Sequence, residues 1–519
     1  MRLAWLDWLV LAGYFLFSFL IAWHYRQRAQ RSLAEFFVSG RSVSWWLAGT
    51  SMVATTFAAD TPLAVTGLTV RYGIAGNWLW WSLLLSGMLT VFFFARLWRR
   101  ASVLTDIELV ELRYAGQAAA FLRGFRALYL GVVMNGLIMG WVNLAMVKVL
   151  TLALGISKVE AVIACLVITA AYTTLSGLWG VLITDLFQFI LMVTMAVVLA
   201  YFAVDAVGGL ALLKTRVLAL SAPGSDSLLA FVPSLDSVWM PLFVFLVYLG
   251  VNWWASWYPG AEPGGGGYVA QRIFSAKDEK HSLWATLWFN IAHYAVRPWP
   301  WILVALASAV LYPQLADKEA GYVRVMVDHL PASLRGLMVA AFLAAYMSTI
   351  STHLNWGSSY VVNDFYRRFV RSGADERHYV RTARLATLAL MVVAAVVTYF
   401  LRSIEQAWRL LLMLGAGTGP VYLLRWYWWR INAWSEISAM LAAFGVSVVI
   451  QKMALFAGSE QVIFAKTMLT TTVVCTGVWL AVTFLTRATP TGHLLNFYRR
   501  VRPAAIGWRP VAAHAPEIS

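Results

Sequence analysis

Apolar runs of about 20 residues recur along the whole of this 519-residue chain. A helix of that length spans the hydrocarbon core of a bilayer, because each residue adds about 1.5 Å. In lipid, each backbone polar group must find its partner within the protein, and a helix meets that demand internally. The runs therefore constrain the chain to an all-α polytopic membrane protein. Composition agrees: 61% of residues are hydrophobic and 12% charged, about half the charge of a soluble domain.

Thirteen spans fit, near 5–24, 44–71, 77–97, 125–153, 158–176, 179–206, 237–269, 283–311, 334–362, 383–402, 405–424, 432–454 and 464–486. A net charge of +16 would suggest nucleic-acid binding in a soluble chain. Here the basic residues gather in alternate loops: Arg26, Arg28, Arg31 and Arg41; Arg96 to Arg126; Arg272, Lys277 and Lys280; Arg367 to Arg384; Arg425 and Arg430; and the tail from Arg487. With thirteen spans these loops share one side, so the positive-inside rule puts the N-terminus outside and the C-terminus in the cytoplasm. The bilayer, not nucleic acid, is the expected surround, and no obligate protein partner is evident. Cys165 and Cys475 lie inside apolar runs, as packing residues rather than a disulfide. The first span is read as retained, not as a cleaved signal peptide. No soluble stretch is long enough for an appended enzymatic domain.

Two spans are interrupted. The first contains "ATTFAADTPLAVTG", residues 54–67, where Asp60 stands beside Thr61 and Pro62. The pattern predicts a break at 58–62, with Thr61 as N-cap and Pro62 opening a second half-helix. The second contains "WYPGAEPGGGG", residues 257–267, which cannot stay regularly helical. Irregular backbone at membrane depth must be buried in protein or line a wet cavity. The broken spans open two successive sets of five and run in opposite directions. That places an inverted repeat over 44–206 and 237–424. Outside it lie an N-terminal helix and loop (1–43), an outer loop (207–236), two peripheral helices (425–486) and a cytoplasmic tail (487–519). Paired breaks at matching places in two halves point to a transporter with its site at mid-depth.

In the ninth span, "LAAYMSTISTHLNW" puts Ala345, Ser348, Thr349 and Thr352 on one helical face, with Ser351 alongside. Counting rise per residue brings Ser348 and Thr349 to the depth of Ala54–Phe57. Their hydroxyls and the carbonyls freed at the break would together offer the hard, neutral oxygens that sodium prefers. The alternative is that they bond back to their own helix.

Four stretches carry a family resemblance: "FFVSGRSVSWWLAGTSMVATT", "YTTLSGLWGVLITDLFQF", "YVAQRIFSAKDEK" and "GLMVAAFLAAYMSTISTHLN". Over roughly 5–455 the chain resembles the sodium:solute symporter family, which has a LeuT-type five-plus-five core. The resemblance implies Na+ as the coupling ion. It implies a principal sodium site made by backbone oxygens of Ala54, Phe57 and Ala345 with the hydroxyls of Ser348 and Thr349. Some members hold a second sodium, at positions matching Asp185, Ser348, Ser351 and Thr352. Asp185 is also open to a purely structural, hydrogen-bonding role. The chain departs from the family pattern at Thr56, at Ala58 and in its glycine-rich stretch, so no substrate is carried over.

Candidates for the solute cavity are Thr56, Asp60, Thr61, Trp254, Trp257, Glu262, Tyr268 and Arg297. Tyr268 resembles an inner-gate tyrosine of sugar-carrying members. Trp78, Trp80 and Trp81 would roof the outer side, or at least two of them belong to an aromatic belt. Arg297, with His293 one turn away, would pair with Asp60 or Glu262 or capture a solute carboxylate. Carboxylates beside aromatics suit a sugar or polyol, or an amine. The expected function is sodium-coupled import of a small polar organic solute across the plasma membrane, and not catalysis. The alternatives are proton coupling through Asp60, Asp185 or Glu262, and a non-transporting solute sensor.

Overall fold

A computed structural model describes residues 5–29, 31–220, 226–256, 264–401 and 404–518. Among them the regular structure is helical, with one isolated bridge between Val43 and Ala276. Among the described residues seven helices are long and apolar enough to cross a membrane, or eight if the bent pair Ile74–Trp81 and Leu84–Ala101 is one span. Of the thirteen expected spans, several are split, and 5–24 and 158–176 include side chains outside the described residues. The first broken span consists of Trp45–Thr56 and Asp60–Tyr72. The second consists of Leu242–Ala255 and Gly267–Ser275. The run 405–424 divides into Ile404–Gly415 and Gly419–Tyr427.

The expected spans 158–176 and 179–206 are drawn as one backbone helix, Lys158–Val207. Of this, Leu178–Val207 meets the length and hydropathy of a span. Side chains at 166 and 168–177 lie outside the described residues. The helix Trp5–Ala29 packs along its second part: Tyr25 stacks on Trp179, and Gln188 donates to the Tyr14 hydroxyl at 2.6 Å.

Ala332–Ser359 runs through the middle, with every residue from Met338 to Ser359 buried. It packs against Lys158–Val207, Trp45–Thr56 and Asn135–Leu154. Its small residues (Ala340, Ala341, Ala344, Ala345, Ser348) let these neighbours approach closely, as helices do where lipid offers no hydrophobic drive.

Close approach is sharpest where Gly419–Tyr427 meets the end of Leu242–Ala255. A methyl group on Gly419 would stand 2.0 Å from the Trp254 carbonyl oxygen, and Gly417 N–H donates to the Ala255 carbonyl beside it at 2.8 Å. Backbone cannot yield there as a flexible side chain would. Gly419→Ala is therefore expected to cost about 1–3 kcal/mol. Thermal unfolding of the purified variant measures it, and an unchanged midpoint would show that this contact is loose.

Several arginines that look topogenic in the sequence are structural. Arg113, Arg126, Arg272 and Arg425 are 2% exposed or less. Arg126 and Arg425 both reach Glu436, at 3.0 and 3.4 Å, and Arg123 pairs with Asp364 and Glu111 at 2.8 and 2.7 Å. The tail is also part of the body. Helix Thr491–Val501 buries Leu494, Phe497, Tyr498 and Val501, and buried Trp508 donates its indole N–H to the Trp426 carbonyl at 2.7 Å.

Candidate functional site

The helix Trp45–Thr56 stops because Phe57 leaves helical geometry (φ −85°, ψ 51°). The helix resumes at Asp60, not at Pro62, and Ala59 caps it without a side-chain bond. The break thus lies at 57–59, slightly earlier than the sequence suggests. Pro62 sits in the first helical turn, where a missing N–H removes no intrahelical bond. Thr61 does not cap. Its hydroxyl bridges the break and donates to the Thr56 carbonyl at 3.1 Å.

The last carbonyls before a helix end have no intrahelical partner. Here Ala54 accepts from Phe57 N–H at 3.1 Å. The Thr55 carbonyl accepts from the Thr349 hydroxyl at 2.7 Å, and the same hydroxyl lies 3.1 Å from the Ala345 carbonyl. Helix Ala332–Ser359 therefore meets the break with a hydroxyl pointing at freed backbone oxygen. Phe57, Ala58 and Ala345 also border a shared cavity of about 10 Å³, roughly one water in size. So Ala54, Phe57, Ala345 and Thr349 are brought together. Ser348 faces elsewhere, and Thr55 is a neighbour that sequence reasoning missed.

Ser348 belongs to a second, fully buried polar group. Its hydroxyl donates to Asp185 Oδ1 at 2.6 Å, and Ser51 donates to the other carboxylate oxygen. Arg272 stands 3.8 Å from Asp185. Its guanidinium donates to Ser51 Oγ at 3.1 Å, to Thr352 Oγ1 at 2.6 Å and to Gln271 Oε1 at 2.9 Å. Thr55 and Thr352 hydroxyls lie 3.1 Å apart, which links the two groups. Ser351 turns back to the Ser348 carbonyl at 3.1 Å. The positive charge beside Asp185 is thus supplied by Arg272, a residue the sequence reading assigned to a loop. It lies within the short helix Gly267–Ser275, whose nine residues are all buried.

Beside the break lies a cavity of about 90 Å³. Thr56, Asp60, Thr61, Tyr268 and Arg297 all line it, as does Trp80 of the three roofing candidates. Trp80 stacks on Tyr294 and meets His293 edge-on, with centroids 5.7 and 5.6 Å apart. Trp78 and Trp81 pack instead against Phe231. Trp254 does not line the cavity, and its indole donates within its own helix to the Gly250 carbonyl at 2.5 Å. Trp257 and Glu262 lie outside the described residues.

Asp60 is 3% exposed, and its Oδ1 has no hydrogen-bond partner among the described residues. Arg297 lies over the rings of Phe57 and Trp301, at 5.6 and 5.1 Å, and donates to the His293 carbonyl at 3.2 Å. His293 Nδ1 is 3.0 Å from the Thr56 hydroxyl. The sequence reading missed Trp141, Tyr294, His353 and Trp408 on the wall. Of these, His353 carried a signal, since it falls one turn after Thr349 on the polar face. It meets Tyr268 edge-on at 5.6 Å and pairs with Asn135 at 2.7 Å.

A family model described as "Sodium:solute symporter family" matches residues 36–443. The chain is 24% identical to sodium/glucose cotransporter 1 of Ovis aries over 479 residues, covering 82% of this chain and 69% of the relative. It is 23% identical to the sodium/glucose cotransporter of Vibrio parahaemolyticus, covering 83% and 81%. Among solved structures, the substrate-bound outward-open state of a Na+-coupled sialic acid symporter superposes with a TM-score of 0.70 at 18% identity, covering 94% and 99%. Mhp1, a nucleobase-cation-symport-1 family transporter, superposes at 0.53 and 12% identity, covering 90% and 98%. The family match spans both broken helices and the central helix.

Proposed function

Because the chain belongs to the sodium:solute symporter family, with Na+ as its coupling ion, we propose that it imports a small polar organic solute through the cavity beside Asp60. One observation carries the reading: the Thr349 hydroxyl meets backbone oxygen at the break of helix Trp45–Thr56. Sodium favours several hard oxygens without several full charges. The carbonyls of Ala54, Phe57 and Ala345 with the hydroxyls of Ser348 and Thr349 would supply them, Ser348 by turning from Asp185. Binding there would order the break and favour the outward-open state. Solute would then close the outer side, and loss of sodium to the low-sodium cytoplasm would release both. In this reading ten of thirteen spans form two inverted sets of five, over 44–206 and 237–424, and the other three lie outside them. The N-terminus lies outside, the C-terminus in the cytoplasm, and the chain sits in the plasma membrane without an obligate protein partner. The residues Asp185, Ser348, Ser351 and Thr352 would hold a second sodium only in competition with Arg272, so one principal site is the simpler proposal.

Uptake by proteoliposomes tests the reading, using a solute that stabilises the purified protein. An inward sodium gradient should drive accumulation. Accumulation driven equally well by a pH gradient in sodium-free buffer would instead indicate proton coupling. Ser348→Ala combined with Thr349→Ala should weaken the apparent sodium affinity by about tenfold or more, the equivalent of about 1.4 kcal/mol. If sodium dependence is unchanged in that variant, the site lies elsewhere.

A further inference from the structure

We propose that His353 is a specificity-determining residue of the cavity: Asn135 holds the ring proton on Nδ1, and the bare Nε2 accepts a hydrogen bond from a solute O–H or N–H group. The inference rests on the symport reading and deepens it at the same site.

A neutral imidazole carries one N–H and one lone-pair nitrogen, and its neighbours decide which is which. Around His353 they leave one arrangement. The Asn135 amide nitrogen donates to the His353 carbonyl at 2.7 Å. A carbonyl only accepts, so the NH2 end of Asn135 faces it and the Oδ1 end faces the ring. Oδ1 also only accepts, and it lies 2.7 Å from His353 Nδ1. The ring proton therefore sits on Nδ1. Nε2 is left with its lone pair, and no hydrogen bond reaches it among the described residues. The ring is buried, lines the cavity, and meets Tyr268 and Trp356 edge-on at 5.6 and 5.5 Å.

His293, on the same wall, shows the contrasting case. The Thr56 hydroxyl donates to the Val53 carbonyl at 2.9 Å. What it offers His293 Nδ1, 3.0 Å away, is a lone pair, so Nδ1 donates there. His293 Nε2 lies 3.3 Å from Arg297 Nη2, which can only donate. Both nitrogens of His293 are thus used within the wall, whereas His353 keeps one for the solute. A buried acceptor is costly unless a donor meets it. Tyr268, Tyr294 and Arg297 already bring donors to the wall, and Asp60 and His353 bring acceptors. Such a wall suits a solute that both gives and takes hydrogen bonds. A solute without O–H or N–H cannot satisfy Nε2.

Two measurements on the purified full chain test this. With ¹³C,¹⁵N-labelled histidine, ring NMR shifts distinguish the two neutral tautomers, and the His353 signals are those lost in His353→Phe. The expected form is Nδ1–H. An Nε2–H or doubly protonated ring overturns the proposal. Asn135→Leu removes the acceptor that fixes the ring and should bring in the Nε2–H form, and an unchanged tautomer there overturns the role of Asn135. The second measurement is thermal unfolding in NaCl and in KCl. The probes are D-glucose and myo-inositol (hydroxyl donors), L-alanine (ammonium donor) and glycine betaine (no O–H or N–H). At least one donor-bearing probe should stabilise the protein, and glycine betaine should not. Which donor-bearing probe responds identifies the group that meets Nε2. His353→Phe should raise its half-saturating concentration about tenfold or more. Stabilisation of that variant by sodium alone should persist, which shows that it is folded; His353→Gln serves both measurements if it is not. An unaltered half-saturation, stabilisation by glycine betaine, or failure of all three donor-bearing probes overturns the proposal. Equal stabilisation in NaCl and KCl, with the response still weakened in His353→Phe, would count against the symport reading and not against His353.

Discussion

Replacing Asp185 with alanine is expected to destabilise the protein by about 3–5 kcal/mol, the usual cost of stranding a buried charge. Asp185 is the anion nearest the Arg272 guanidinium among the described ion pairs, and both side chains are fully buried. Three hydroxyls mediate the pair: Ser51 and Ser348 donate to the carboxylate, and Thr352 accepts from the guanidinium. Removal of Asp185 leaves an unneutralised guanidinium among hydroxyls that cannot balance its charge. Asp185→Ala combined with Arg272→Met removes both charges and should recover much of the loss, because a buried pair contributes little against an apolar replacement. Thermal unfolding in sodium-free buffer reads out the fold without a coupling ion. A single variant as stable as the parent would mean that Arg272 is neutralised elsewhere, and a double variant as damaged as the single one would mean that packing, not charge, is at stake.

Glu436→Ala should have an effect of similar size at a second buried cluster. Glu436 accepts from Arg126 at 3.0 Å, Arg425 at 3.4 Å and the Tyr114 hydroxyl at 2.7 Å. The two guanidiniums lie over the ring of Tyr422, at 4.7 and 5.2 Å. One buried carboxylate thus joins helices Gln117–Leu154, Gly419–Tyr427 and Ala433–Met453. Without it two arginines face each other across a tyrosine in a dry interface, at an expected cost of about 3–5 kcal/mol. Glu436→Gln keeps the shape and the acceptor and should cost less than Glu436→Ala. The comparison is made by unfolding midpoints of the three proteins. Equal midpoints would show that water reaches this cluster.

The helical membrane class and the two broken spans could be read directly, because lipid permits few exceptions and glycine and proline mark them. The restart at Asp60 was misjudged by two residues, since a Thr-Pro pair is a good helix opening that the structure does not use. The hydroxyl face of the central helix was legible from spacing. Spacing could not say that Thr349 and Ser348 point to different neighbours, which depends on where Thr55 and Asp185 stand. Arginine was the least legible residue. Arg126 and Arg272 read as ordinary loop charges, because their partners Glu436 and Asp185 are distant in sequence, and Arg425 did so although Glu436 lies only 11 residues on. Sequence distance likewise hid the cavity wall around Asp60, which is assembled from seven separate parts of the chain.

The most direct measurement of the central claim is equilibrium binding of ²²Na+ to the purified full chain, compared with Ser348→Ala combined with Thr349→Ala. The account predicts saturable binding that unlabelled sodium displaces and potassium does not, weakened about tenfold or more in the double variant while its unfolding remains cooperative. Full-strength binding in that variant, or no saturable sodium binding in the parent protein, would contradict it.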